Sequence, residues 1–164
     1  MLNVPRCYPL LFTVFLLSLL VGCSSGPRMQ ETIVPAPSSD QALSIERVMI
    51  LANARQALGT PYRYGGASSN GVDCSGLVQM AYGAAGISVP RTADQQFSRL
   101  PSRERARPGD LLFFGSGNTA THVGIYLGRQ QMIHAPGAGR EVTTTSLALD
   151  YWRNRFLGAA GPAP

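Results

Sequence analysis

The spacing of apolar residues changes along the chain and divides it into four stretches. A nearly unbroken apolar run covers residues 10–20, and a polar stretch rich in proline and serine follows it up to residue 39. Between residues 40 and 100 apolar positions recur every three to four residues, as in helices with one buried face. After residue 109 the period becomes two, as in strands. Helices followed by consecutive short strands predict an α+β fold, with N-terminal helices packed on a central antiparallel sheet.

Three helices are predicted in the first half of the domain. The first starts after a cap at Ser38 or Ser39 and ends before Gly59. The second starts at Asp73, a natural N-cap, and runs to residue 86, and the third covers residues 92–100 with Thr92 as its cap. The apolar stripe predicted to be buried in the first helix consists of Ile45, Val48, Met49 and Ala52, and that of the second consists of Leu77, Val78, Ala81 and Tyr82.

Short apolar runs bounded by turn residues predict the strands of the second half. They cover residues 110–114, 122–127, 131–135, 141–147 and 156–157. A loop rich in glycine and threonine is predicted at residues 115–121, and a three-residue turn at residues 128–130.

The N-terminus has the layout of a bacterial export signal. Arg6 precedes the apolar run, which is shorter than the roughly 18–20 residues that span a bilayer comfortably. The run ends in Leu-Val-Gly-Cys, which resembles a lipobox and implies cleavage before Cys23 and lipid attachment to it. We therefore expect a signal peptide at residues 1–22, a lipidated Cys23 with a tether up to residue 39, and a domain over residues 40–160. The alternative is an ordinary cleaved signal that leaves Cys23 free.

Ser24 after the lipidated cysteine is typical of outer-membrane delivery, facing the periplasm. The chain carries a formal net charge of +5, and all of its basic residues are arginines. This balance suits a polyanionic surrounding such as cell-wall polymer or lipid headgroups, and no nucleic-acid motif accompanies it. An arginine-rich run at residues 99–107 is either a solvated loop or a polymer contact.

Cys74 is the one cysteine that remains in the predicted domain, since Cys7 leaves with the signal and Cys23 is lipidated. A single cysteine cannot form a disulfide within its chain, and an exported free thiol indicates a catalytic nucleophile. The alternative is a buried structural thiol. The predicted position at a helix N-terminus favours the thiolate and predicts a lowered pKa for Cys74.

His122 and His134, the two histidines of the chain, fall on neighbouring predicted strands. The three-residue turn makes Gly124 face His134, so His122 is a diagonal neighbour of His134 on the same sheet face. We expect Gly124 to leave room between the two imidazoles, and His122 to lie nearer the sulfur. One imidazole can then act as base toward Cys74 while the other orients it. A zinc site of the same three side chains is the alternative, although no closely spaced ligand pair supports it.

Five ordered motifs resemble those of the NlpC-type cell-wall peptidases. They lie at residues 61–66, 73–76, 108–114, 122–128 and 133–135, and the resemblance covers residues 45–160. The chain looks like the short murein endopeptidase lipoproteins of Gram-negative bacteria. The resemblance implies a papain-like fold and cysteine-peptidase chemistry on peptidoglycan stem peptides. It makes Cys74 the nucleophile, His122 the base and His134 the orienting third member.

The resemblance also assigns three further positions. Tyr62 matches a tyrosine that helps form the oxyanion and substrate site, although it could also simply pack in its loop. Asp73 and Ser75 match positions that contact the substrate amine in some members. The expected enzyme needs no metal or organic cofactor and acts as a monomer. Two alternatives stay open, a catalytically silent wall-binding lipoprotein and an amidase that cuts between sugar and peptide. The sequence does not decide between a cross-link and the γ-D-glutamyl–diaminopimelate bond.

Overall fold

The computed structural model describes residues 43–164. The predicted signal peptide, the lipidation site at Cys23, the tether and the caps Ser38 and Ser39 lie outside the described residues. Within residues 43–164, no helix has the length and apolar character needed to cross a bilayer.

Four helices are present among the described residues: α1 (Ile45–Gln56), α2 (Cys74–Ala84), α3 (Ala93–Arg99) and α4 (Asp150–Arg153). The side chains of Asp73 and Thr92 cap α2 and α3 as predicted, accepting hydrogen bonds from backbone N–H groups of the first turn. The cap of α1 is Ser44, so the prediction of a cap at Ser38 or Ser39 is wrong for this helix.

The buried face of α1 also differs from the prediction. Ile45, Val48 and Met49 are 75%, 52% and 39% exposed, and the helix instead buries Arg47, Ile50, Leu51 and Ala54. Both stripes have the same helical spacing and differ only by a rotation about the axis. Arg47 decides between them because its guanidinium lies 2.9 Å from the carboxylate of Asp110, and both side chains are fully buried.

Eight strands are present in the described part of the chain. They are β1 (Ala67–Ser68), β2 (Gly71–Val72), β3 (Ser102–Arg103), β4 (Leu111–Ser116), β5 (Thr119–Gly128), β6 (Gln131–His134), β7 (Thr143–Ser146) and β8 (Phe156–Ala160). The first two form a small hairpin, and the others form one antiparallel sheet in the order β3-β8-β4-β5-β6-β7. The predicted α+β class with an antiparallel sheet is confirmed.

The loop predicted at residues 115–121 is mostly strand. β4 continues to Ser116 and β5 begins at Thr119, with a shift of register after Phe114. This stretch was predicted as a loop because its residues are small and polar. The alternation of apolar and polar side chains that indicates a strand stops where the hairpin extends beyond the core.

The two faces of the sheet have different partners. Phe113, Val123 and Ile125 pack into the main core with α1 and α2. Leu112, Phe114 and Met132 lie on the other face and pack with Trp152 of α4. The histidine face of β5 is therefore the face that α4 covers.

Candidate active site

Cys74 is the first residue of α2 and is partly buried between this helix and the sheet. The helix packs against β5, and the backbone N–H of Val123, the residue after His122 on this strand, lies near enough to the sulfur to lower its pKa. The helix therefore delivers the thiol to the strand that carries the predicted base.

The pKa of Cys74 contradicts the prediction. Burial raises this pKa, and the negative charge of Asp73 adds to the effect. The backbone N–H groups of Val123, Ser75 and Cys74 itself lower the pKa without overcoming burial. A helix N-terminus favours a thiolate, but here the loss of hydration outweighs it. The free site therefore holds a neutral thiol at pH 7.

His122 and His134 are hydrogen-bonded to each other, as the prediction of neighbouring imidazoles requires. Nε2 of His122 lies 2.9 Å from Nδ1 of His134, and the ring planes are nearly perpendicular. Because this bond uses Nε2 of His122, Nδ1 is the nitrogen of that ring left for another partner.

The register that brings the histidines together arises from a different turn than predicted. The turn between β5 and β6 has two residues, Arg129 and Gln130, both with positive φ. Such a turn alone would place the histidines on opposite faces. A bulge between Tyr126 and Gly128 restores the parity, so that Ile125 pairs with Ile133 as the predicted register requires.

Gly124 has another role than the one predicted. A side-chain carbon at this position would collide with the sulfur of Met132 rather than with an imidazole. Gly124 therefore makes room for Met132, which belongs to the cluster beneath the histidines.

Burial lowers the pKa of both histidines, of His122 to about 4 and of His134 to about 3. The positive charge of Arg140 acts in the same direction on both, and His122 also lowers the pKa of His134. Both imidazoles are therefore neutral at pH 7. A neutral imidazole beside a neutral thiol is a proton acceptor.

Two cavities flank this arrangement. Cys74 opens on a cavity of about 410 Å³ that Tyr62, Asp73, Ser75 and Arg91 also line. The histidines open on a larger cavity of about 730 Å³ on the other side. Thr121 lines both cavities, so they adjoin at β5, the strand that also carries His122.

The sequence profile of the NlpC/P60 family matches residues 59–161, which contain the thiol, both histidines and Tyr62. The chain belongs to the NlpC/P60 family. It is 43% identical over 113 residues to the murein DD-endopeptidase MepH of Escherichia coli K12, covering 63% of this chain and 41% of that protein. It is 39% identical over 114 residues to the bifunctional muramidase/DL-endopeptidase CwlT of Bacillus subtilis 168, covering 66% of this chain and 34% of that protein.

The fold agrees with solved structures of the family. A crystal structure of an NlpC/P60 family protein from Bacillus cereus superposes with a TM-score of 0.68 at 32% identity, covering 72% of this chain and 40% of that one. The chain thus spans less than half the length of the relatives MepH and CwlT.

Tyr62 lies beside the thiol, as the family motif predicts. Burial raises the pKa of its hydroxyl, and the negative charges of Cys74, once this thiol ionises, and of Asp73 raise it further. The hydroxyl is therefore a hydrogen-bond donor throughout the neutral range. Its part in stabilising an oxyanion stays a prediction.

Asp73 and Ser75 make contacts within the protein. The Asp73 carboxylate accepts hydrogen bonds from the N–H groups of Gly65 and Gly76, from the Ser75 hydroxyl, and from Arg91, whose guanidinium lies 2.6 Å away. Burial alone would raise the pKa of Asp73, but Arg91 and the two N–H groups outweigh it and lower the pKa. A substrate amine would have to compete with Arg91 for this carboxylate. The predicted amine contact at Asp73 and Ser75 stays a prediction.

Sequence reasoning missed Arg91 and Gln96. Arg91 also donates to the Ser75 hydroxyl, and the Gln96 amide donates to the backbone carbonyls of Ser75 and Pro90. Together they tie the start of α2 to α3 and so fix the position of Cys74. The sequence contains no signal that could have found Arg91, since nothing in the spacing of residues 90–92 links them to the Asp73 carboxylate eighteen positions earlier.

No group of three or more histidine, cysteine, aspartate or glutamate side chains among residues 43–164 is arranged to hold a metal ion. The alternative of a zinc site at Cys74, His122 and His134 therefore finds no ligand set in the described part of the chain.

Proposed function

We propose that this chain is a cysteine peptidase that hydrolyses amide bonds in peptidoglycan stem peptides or in their cross-links. The observation that carries the proposal is the position of Cys74 at the start of α2, a helix packed against β5, the strand that carries His122 of the hydrogen-bonded pair His122–His134. The activities of the relatives support the substrate class, since MepH is a murein DD-endopeptidase and CwlT a muramidase and DL-endopeptidase.

In the first step Nδ1 of His122 takes the proton of the Cys74 thiol as the sulfur attacks the peptide carbonyl. This requires the tautomer of His122 that carries its proton on Nε2 and donates it to Nδ1 of His134. His134 thus selects the tautomer in which Nδ1 has a free lone pair. It also keeps a hydrogen bond to His122 when that ring becomes an imidazolium.

The negative charge that develops on the carbonyl oxygen needs donors that are already in place. Backbone N–H groups at the start of α2 and the hydroxyl of Tyr62 supply them. His122 then passes its proton to the leaving amine, and the thioester on Cys74 forms as the amide bond breaks. Water adds to the thioester, with His122 again as base, and releases the acid and the free thiol.

Two other functions predict different products from the same wall. A binding protein without activity would leave purified wall intact, whereas an amidase would separate intact stem peptides from the glycan. The geometry favours a peptidase over a silent binding protein, because a hydrogen-bonded imidazole pair beside a thiol is not needed for binding. Digestion of purified peptidoglycan followed by mass analysis of the fragments tests the proposal.

We also propose that lipid on Cys23 anchors the enzyme to the outer membrane, facing the periplasm. The support is the Leu-Val-Gly-Cys ending of the apolar run and Ser24 after it. We expect the wild-type protein in the membrane fraction and Cys23→Ala in the soluble fraction or unprocessed. Equal release of the two proteins from membranes by high salt would contradict lipid anchoring.

A further inference from the structure

Trp152 of α4 packs against both histidines of the site. Its ring centroid lies 5.3 Å from that of His122, with planes 30° apart, and 5.1 Å from that of His134, with planes 87° apart. The indole therefore packs against one imidazole with the ring planes tilted by 30° and meets the other at an edge. Both arrangements are favourable for aromatic rings.

The position of Trp152 is fixed from behind by the sheet. The ring of Phe114 on β4 meets the indole edge to face at 4.8 Å, and Leu112 and Met132 complete the same cluster. Trp152 is only 9% exposed although it belongs to a helix of four residues. It also lines the larger cavity, where it forms part of the wall beside the two imidazoles.

The hydrogen bond between the two histidines leaves one degree of freedom open. It sets the distance between Nε2 of His122 and Nδ1 of His134, but each ring can still tilt about this axis. In the proposed mechanism Nδ1 of His122 takes the thiol proton, and this transfer requires the ring to keep a narrow range of tilt. A second contact on the ring plane is needed to hold it there.

We propose that Trp152 is the positioning residue of this pair: it holds the plane of His122 by a tilted ring contact, holds His134 by an edge contact, and keeps water from that side of both rings. The proposal rests on the thiol mechanism for its effect on rate. Its structural part, the contact of the indole with both imidazoles, can be tested without any activity.

The charged and titratable groups near the histidines come from several elements. Arg140, Glu141 and Tyr151 line the same cavity, and Arg155 lines a smaller one with His122 and Trp152. Burial is nevertheless the largest cause of the lowered pKa of both histidines, ahead of Arg140. Since the indole supplies part of that burial, its removal should raise the pKa of His122 from about 4 toward the ordinary value of 6.5.

A raised pKa of His122 should restrict activity to higher pH. His122 must be neutral to accept the thiol proton, so activity is present above its pKa and is lost as the pH falls through it. In the wild type kcat/KM should fall only near pH 4. In Trp152→Leu that acid limb should move upward by about one pH unit or more, and kcat should drop roughly tenfold with a smaller change in KM. Trp152→Phe should lie between the two.

Phe156→Leu is the matched control. Phe156 meets Phe114 edge to face at 5.8 Å, as Trp152 does at 4.8 Å, but forms no aromatic contact with either histidine. This control should lose stability without moving the acid limb. Trp152 variants that stay folded and keep both the wild-type acid limb and the wild-type kcat would overturn the proposal.

A fluorescence titration tests the contact independently. Trp152 is the single tryptophan of the chain, and a protonated imidazole in contact with an indole quenches its emission. In Cys74→Ser without substrate, the emission should fall on acidification with a midpoint well below pH 6.5. The emission maximum should not shift to the red. His122→Gln should remove most of this fall. Constant emission down to pH 3 in a protein that circular dichroism shows to be folded would contradict the contact. Were the thiol mechanism wrong, this titration would still show the quenching.

Discussion

Replacement of Cys74 by serine should abolish wall hydrolysis and leave the fold intact. Serine is nearly isosteric with cysteine, so we expect the free energy of unfolding to change by less than about 1 kcal/mol. The hydroxyl is a much weaker acid than the thiol, and a histidine whose pKa is lowered to about 4 is too weak a base to activate it. We expect the rate to fall by at least about 10³-fold, measured as release of soluble fragments from purified wall.

Alkylation gives the corresponding test without mutation. In a protein that begins at residue 24, Cys74 is the sole thiol, so activity should fall in proportion to the fraction of chains that carry one label. Chelation by EDTA should leave the rate unchanged. Activity that EDTA removes and zinc restores would contradict a thiol mechanism.

Substitution of His134 by alanine should lower kcat roughly 10²-fold without unfolding the domain. The change removes the acceptor at 2.9 Å from Nε2 of His122 and leaves that nitrogen without its partner in a buried site. His122 is then free to carry its proton on Nδ1, the tautomer that cannot take a proton from the thiol. The rate is measured at saturating substrate, with the melting temperature recorded in parallel.

The control for this variant is His134→Asn, whose amide oxygen can still accept a hydrogen bond. It should lose less activity than His134→Ala if the role of His134 is to accept from His122. An alanine variant with the wild-type rate and wild-type stability would remove His134 from the mechanism.

The parts of the site that the sequence predicted correctly depend on local signals. Asp73 is followed three residues later by a glycine N–H that needs a cap, so the start of α2 and the position of Cys74 could be predicted. The strand pattern around His122 and His134, together with the side-chain alternation of strands, predicted that the two imidazoles share a face. The structure confirms that pair. The turn itself was predicted one residue too long, but the bulge after Tyr126 compensates for the shorter turn and keeps the register.

The parts that failed depend on contacts between residues far apart in the chain. The buried face of α1 is decided by the pair of Arg47 and Asp110, which lie sixty-three positions apart. A search for apolar stripes cannot place a charged side chain such as Arg47 on the buried face. Arg91 became visible only when the fold placed it on Asp73.

The predicted direction of the Cys74 pKa was wrong for a different physical reason. Its direction depends on the balance between the helix N-terminus and the depth of burial, and a sequence shows only the former. The proximity of Trp152 to the histidines is likewise a property of tertiary packing, since α4 reaches them from the far side of the sheet.

Mass analysis of purified peptidoglycan digested by the enzyme tests the central claim most directly. The wild type should release fragments whose stem peptides are cut at a peptide bond while the bond between sugar and peptide stays intact, and Cys74→Ser should release none. The fragment masses also separate cleavage of the cross-link from cleavage within one stem. Release of whole stem peptides from the glycan would show an amidase instead. Undigested wall after treatment with folded wild-type enzyme would contradict the hydrolytic function.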